Sequence, residues 1–591
     1  MRSSGPSRRQ MLGAFAALGV GAVTGTLTAK KQRKYRAPKV AAAVSDAARR
    51  SRRPNILLIM SDQERGWSDL PAGLGLRAHE LLLETGTGFN QHHAHTTPCS
   101  PSRSTIYFGQ HTQHTRMTAN IGAPPIYPEL PSGLPSVGHL LRAQGFYTAY
   151  KGKWHLSRID HDPGLVYGEY PNSEHLLEPY GFSDFNIDGD PHGATWTGYR
   201  YDAQIASQAA QWLHTRGKAL RGEQPWFLAV NFVNPHDIMY YSSGADQDET
   251  RLLRNLLAPL AGAPAGGVYD RYWDLDLPAS YYREDLQRKP WSQRSYAELC
   301  DVLYGRIDPD DEAAWRGYQS YYFNCIRDMD SHALTVLRAL EQSGLADDTI
   351  VIYTADHGEM AGAHKMRQKG PHMYKENIRV PLIIRHPDVK GGQQSASLTS
   401  CIDLIPTLLG FAGVSPQAVA EHYPFLKGVD IGEAVAKPAT RTERDRRGVL
   451  FNYGVPLYID PAFTRSTIEI NTGIPLLTAL RAGLETGHMF PRRDHPALFR
   501  GIHDGRYKFA RYFRPDDHHR PDTWETLVSR NELELYDTRD DPDELVNLAA
   551  DPEAHRDLLL ALARRTNELV AQEVGADTGA EYPGPASWYH R

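Results

Sequence analysis

Asn55-Ile56-Leu57-Leu58-Ile59-Met60-Ser61-Asp62-Gln63 is the stretch on which the fold of this chain turns. A short, unbroken apolar run with polar ends is the pattern of a strand buried on both faces. Such strands belong to parallel sheets covered by helices. Three further runs repeat the arrangement. Phe146 to Tyr150 leads into Lys151-Gly152-Lys153-Trp154-His155, Trp226 to Val233 into Asn234-Pro235-His236-Asp237, and Thr349 to Tyr353 into Asp356-His357-Gly358-Glu359. Helix-compatible segments separate them, which is the order of an α/β domain with a mostly parallel central sheet. Each strand delivers polar residues beyond its C-terminal end, where open α/β sheets bind ligands. Four such ends predict one shared site.

Outward from these strands, Tyr240 to Asp308 is rich in Tyr, Trp and Pro and is expected to wall the site. A helix is expected from about Glu312 to Ser343, stopped by Gly344, and another around Asp403 to Gly413. Strand-like Tyr507 to Tyr512 and Leu533 to Tyr536 precede a final helical run from about Pro552 to Val574. These patterns divide the chain into a large catalytic domain, 54–430, and a smaller α+β C-terminal subdomain, 431–591, with a small antiparallel sheet and a terminal helix.

Ahead of the first strand the chain is basic. Thirteen Lys and Arg and one acid up to Arg53 give +12, so with the whole chain at −5 the remainder carries −17. An acidic body excludes a nucleic-acid surface, which needs a basic stripe on the folded part. Arg8-Arg9-Gln10-Met11 followed by a weakly apolar run to Leu27 resembles a twin-arginine export signal, taken as 1–29, with a basic linker over 30–53. Four glycines and two threonines interrupt the run, which makes it too polar to span a bilayer well. The expected location is the periplasm or outside the cell, reached through the twin-arginine translocase.

Four cysteines are too few for a disulfide framework. Cys325 shares a helical face with Met329, Val336 and Leu340 and reads as core; a Cys300–Cys325 bridge stays open. Cys99 differs. In Cys99-Ser100-Pro101-Ser102-Arg103 it stands where a helix begins, and free N–H groups at a helix start suit an anion. Arg103 adds a planar, permanent charge matched to sulfate or phosphate oxygens.

This pentapeptide resembles the C-x-P-S-R signature of the sulfatases, formylglycine-dependent members of the alkaline phosphatase-like superfamily. The resemblance covers nearly the whole chain after Pro54, with the central and tail insertions matching weakly. It implies an alkaline phosphatase-like fold and hydrolysis of sulfate esters, aryl or small alkyl. It also implies that a formylglycine-generating enzyme oxidises Cys99 to formylglycine, whose gem-diol attacks sulfur. By the same resemblance Asp62, Gln63, Asp356 and His357, with residue 99, hold one divalent metal ion. Calcium is the first expectation for an oxygen-rich set, with magnesium an alternative; an imidazole ligand brings in manganese, iron or zinc. Lys153, His155, His236 and Lys369 would join Arg103 around the sulfate, with His155 on the gem-diol and His236 or Lys369 protonating the leaving oxygen. Gln63 and His357 depart from the commoner Asp and Asn. They resemble the phosphonate monoester hydrolase branch, and the Asp-Gln pair also resembles choline sulfatases, so a phosphonate monoester or phosphodiester hydrolase is the alternative. The run His92-His93-Ala94-His95 could bind metal, but its alternation beside a strand-like stretch predicts solvent exposure.

Overall fold

The computed structural model describes residues 38–40, 53–123, 128–159, 175–187, 189–248, 259–455 and 494–579. The twin-arginine segment lies outside the described residues, as does the basic stretch 30–53 apart from 38–40 and Arg53. Strand β1 (Asn55–Asp62), buried along its whole length, belongs to a seven-stranded sheet. The sheet runs β4 (Tyr147–Gly152), β5 (Trp226–Pro235), β1, β6 (Thr349–Ala355), β7 (Leu382–Arg385), β2 (Thr87–Phe89), β8 (Gln393–Ser395). The first four are neighbours and mutually parallel, with Ile56 of β1 in register with Phe227 on one side and Ile350 on the other. Only β7 runs against its neighbours. The four strands singled out by their polar ends are therefore adjacent, and their C-terminal ends share one edge of the sheet.

Helices cover the sheet because their apolar faces have nowhere else to go. The helix Glu312–Gln342 packs on β5 and on the helix Thr197–Trp212. The Asp311 carboxylate caps its N-terminus by accepting the Ala314 N–H at 3.0 Å. Gly344 follows it at φ +71°, a conformation suited to glycine. Cys325 lies in an apolar cluster with Trp315, Tyr318 and Tyr322. All four cysteines are free, so the Cys300–Cys325 bridge left open by the sequence does not form.

The second sheet is antiparallel and in chain order: β10 (Val449–Tyr453), β11 (Leu498–His503), β12 (Tyr507–Phe513), β13 (Glu532–Asp537). The helix Arg556–Glu573 presents Leu559, Leu562, Leu569 and Val570 on one face, at helical spacing, to Leu450, Ile502, Phe509 and Leu535 of that sheet.

Where the two sheets meet, the structure corrects the expectation for His92-His93-Ala94-His95. All three histidines are buried. Residues 92–93 form β3, which pairs in parallel with β9 (Thr399–Ser400). His92 Nδ1 lies 2.9 Å from the Thr399 hydroxyl, His93 packs edge-on against His503, and His95 does the same against His111. No metal-ligating group of three or more His, Cys, Asp or Glu forms there among the described residues. The alternation was that of a short strand between two cores.

Candidate active site

Cys99 is the first residue of the helix Cys99–Phe108 and is wholly buried. Its Sγ lies 3.2 Å from Nε2 of His357 and 3.7 Å from Oδ1 of Asp62. Two serines of the motif tie this turn to other strand ends. The Ser102 hydroxyl donates to the Asp356 carbonyl at 2.5 Å, and the Ser100 hydroxyl to the His155 carbonyl at 2.6 Å.

Asp62, Cys99, Asp356 and His357 each bring a donor atom within 4.8 Å of the others, all buried. Oδ2 of Asp62 and Oδ2 of Asp356 have no hydrogen-bond donor, although cations lie close. Two carboxylates with unused lone pairs beside an imidazole fit a divalent cation. Gln63 is placed differently from the others. Its backbone N–H donates to Asp356 Oδ1 at 3.1 Å, while its side-chain oxygen accepts from Lys369 and its side-chain nitrogen donates to Glu359. Glu359 also accepts the N–H groups of Gln368 (2.7 Å) and Ala361 (2.9 Å) and so is committed as an acceptor, which fixes the orientation of the Gln63 amide.

Arg103, expected around the sulfate, is wholly buried beside Cys99's strand-end neighbours, and its Nη1 has no hydrogen-bond partner. Its Nε donates to the Trp154 carbonyl at 3.0 Å, and its Nη2 serves the carbonyl of Lys153, the Tyr150 hydroxyl and the side chain of Asn231. Its Nη1 sits 3.5 Å from Asp356 and 3.9 Å from Asp62. These bonds hold the turn after β4 and place a fixed charge beside the two carboxylates. Lys153 likewise pairs with Asp62, Nζ to Oδ2 at 2.6 Å. Gly152 makes this turn possible: it stands at φ +86°, and a β-carbon there would lie 2.0 Å from the Asn231 carbonyl oxygen.

The charges sort accordingly. Burial opposes ionisation of Asp62, but Lys153, then His236, Lys369 and His357, outweigh it and hold the carboxyl well below its ordinary range. Burial, with the Asp62 charge added, pushes Asp356 up to about 7. Burial keeps His155 and His236 neutral, helped by Lys153 and Lys369 respectively.

A pocket of about 250 Å³ opens beside Pro98. His155, His236 and Lys369 line it, together with Tyr240, Tyr296, Tyr304 and Tyr453. No carboxylate is among its described lining residues. Three of the tyrosines come from the long stretch expected to wall the site, and Tyr453 comes from β10 of the second sheet. Sequence reasoning missed Tyr453, Glu359 and Asp190, whose carboxylate binds the turn carrying His155. Glu359 sits two residues beyond His357, where its proximity to the candidate ligands was visible; Tyr453 and Asp190 carried no local signal.

Comparison with known proteins agrees with this architecture. Residues 54–414 match the family model described as Sulfatase. The chain is 28% identical over 405 residues to a choline-sulfatase of Rhizobium meliloti (strain 1021), covering 64% of this chain and 71% of that one. Its fold is similar to that of a 2-O GAG sulfatase (TM-score 0.60, 19% identity, 88% of this chain and 92% of that one). It is similar again to the phosphonate monoester hydrolase of Agrobacterium radiobacter (TM-score 0.59, 22% identity, 88% and 96%). The fold is alkaline phosphatase-like, and the chain belongs to the sulfatase family. It is thus a sulfuric ester hydrolase.

Proposed function

We propose that the protein hydrolyses compact aryl or small alkyl sulfates, with Cys99 as formylglycine and a divalent metal held by Asp62, Asp356 and His357. The observation that carries this is the position of Cys99, at a helix start and within contact of His357 and Asp62, beside an aromatic pocket. When bound, the metal polarises the group under attack, and the oxidised residue 99 supplies the attacking oxygen. The chain's own residues do the remainder. Lys153 above all keeps Asp62 charged, and Arg103 sits against both carboxylates. Lys369, reached through Gln63, lines the pocket as a donor for sulfate oxygens, whose charge grows in the transition state. Neutral His155 can accept a proton from the nucleophile at a ring nitrogen, and the leaving oxygen can take a proton from Lys369 or from His236 once that ring has been protonated. The tyrosine walls suit a ring or a short apolar alcohol half.

A second activity, phosphonate monoester or phosphodiester hydrolysis, is favoured by Gln63 and His357. Sulfate is preferred because Lys153-Trp154-His155 resembles the sulfatase-type segment. The test is a panel of sulfate esters and phosphate diesters, assayed on protein whose residue 99 has been verified by mass spectrometry. A higher kcat/KM for diesters makes the second activity the primary one. Calcium is the first candidate metal, and metal analysis of the purified protein decides between it and magnesium, manganese, iron or zinc. Export through the twin-arginine route is part of the same proposal: Arg8→Lys with Arg9→Lys retains precursor in the cytoplasm, and normal export of that variant contradicts it.

A further inference from the structure

Two of the pocket imidazoles, His155 and His236, come from different strand ends, and one short segment touches both. Asp190 turns its carboxylate onto the turn after β4. Its Oδ1 accepts the Trp154 N–H at 3.0 Å and its Oδ2 the His155 N–H at 2.7 Å. From the other side, the Ser100 hydroxyl holds the His155 carbonyl. Between these anchors His155 stands at φ +55°, in the left-handed region that a residue with a β-carbon keeps only where its surroundings enforce it. Two residues beyond Asp190, the His192 ring stacks on His155, centroids 5.2 Å and planes 15° apart, and its Nδ1 donates to the Asp190 carbonyl at 2.9 Å. Gly193 then lies against His236: a β-carbon there would sit 2.2 Å from Cε1 of that ring.

We propose that Asp190 is a positioning residue for hydrolysis, acting through His155. Its carboxylate supplies both acceptors for the two N–H groups of the turn. Without it those groups lose their partners, and the backbone of His155 relaxes out of the left-handed region. The ring then leaves both the pocket and its stack on His192. Ser100 belongs to the helix of Cys99, so Asp190 sets where the imidazole stands relative to the nucleophile. This proposal rests on His155 belonging to the hydrolytic site.

A double-mutant cycle in the full, metal-loaded enzyme tests it. Asp190→Ala is expected to lower kcat for an aryl sulfate by about 10-fold to 100-fold, the order expected when a catalytic group is misplaced by about 1 Å. KM should change little, because sulfate and alcohol contacts from the other strand ends remain. Asp190→Asn, which keeps one acceptor oxygen and perturbs the fold less, should fall between. In a His155→Ala background the same substitution at 190 should change kcat less than about two-fold. Equal effects in the two backgrounds would mean that Asp190 is merely structural, and the proposal fails. A second measurement is independent of turnover. With histidines labelled at Cε1, the His155 signal, identified by its loss in His155→Ala, should shift in Asp190→Asn as the ring unstacks. An unmoved signal overturns the positioning role. If His155→Ala keeps full kcat, the proposed function loses His155, while the label still decides whether Asp190 positions it.

Discussion

Nζ of Lys153 lies 2.6 Å from Oδ2 of Asp62, with both side chains wholly buried. Burial opposes the charge on Lys153, and Asp62, followed by residue 99 and Asp356, reverses this and raises its pKa. The pair is thus a standing ammonium–carboxylate contact at the metal site. Lys153→Ala is expected to lower kcat/KM for sulfate esters by about 100-fold, the order for losing one preorganised charge. Diester hydrolysis should fall less, because a diester presents only two free oxygens. Metal content should persist, since Asp62, Asp356 and His357 are intact. Loss of metal together with rate would place Lys153 among the groups that build the metal site.

Chelation should abolish turnover and leave the fold largely in place, because the cation joins side chains already fixed by β1, β6 and the Cys99 helix. Asp356→Asn should mimic it. Returning metal to about 100 times its Kd should raise stability by about 2.7 kcal/mol, read as an upward shift in Tm. A Tm indifferent to metal would show that Asp62 and Asp356 do not hold it.

The seam between the sheets makes stability fall in acid. Burial pushes His92 down to about 3, from an ordinary value of 6.5. The unfolded chain therefore takes up this proton first. The stability His92 contributes is complete above about 6.5 and is lost as pH falls from there toward 3. At pH 5 this one group costs about 2 kcal/mol. His372, also pushed down to about 3 by burial, acts in the same direction. His92→Gln should flatten the fall in Tm between pH 7 and pH 5; an unchanged slope would show that His92 does not govern it. His79 works in the opposite sense. Burial lowers its pKa, but Glu64 and Asp330, 2.8 and 2.7 Å away, raise it to about 10. Its stabilisation is complete below 6.5 and lost as pH rises through 10.

The tyrosine walls can be tested one at a time. Tyr453→Ala should raise KM for a bulky aryl sulfate about 10-fold, on the scale of one lost aromatic contact, and leave a methyl-sized alkyl sulfate nearly unaffected. Equal changes for both substrates would remove Tyr453 from alcohol recognition.

What the sequence disclosed, and what it did not, divides by range. The run Asn55 to Met60 could be read as a buried strand because its pattern is local, and Asp62 followed from being at its end. Cys99 and its helix start were legible in five consecutive residues. The adjacency of β4, β5, β1 and β6 followed from the shared polarity of their ends. His92 to His95 misled because their burial depends on residues 399–400 and on the second sheet, hundreds of positions away. The anchors of Arg103 were not legible, because a guanidinium can face a ligand, backbone carbonyls or both, and only the folded turn at Lys153 and Trp154 shows which carbonyls it binds. Asp190 could not be found at all: a loop carboxylate that caps a distant turn has no pattern of its own.

If the proposed mechanism holds, residue 99 works only in oxidised form. The tryptic peptide 78–103 carries it, bounded by Arg77 and Arg103. The direct measurement is the fraction of this peptide with the lower formylglycine mass, compared with turnover per molecule across preparations matured to different extents. Turnover should be proportional to that fraction, and Cys99→Ala should show none. Full turnover from protein whose residue 99 is entirely cysteine would contradict the mechanism.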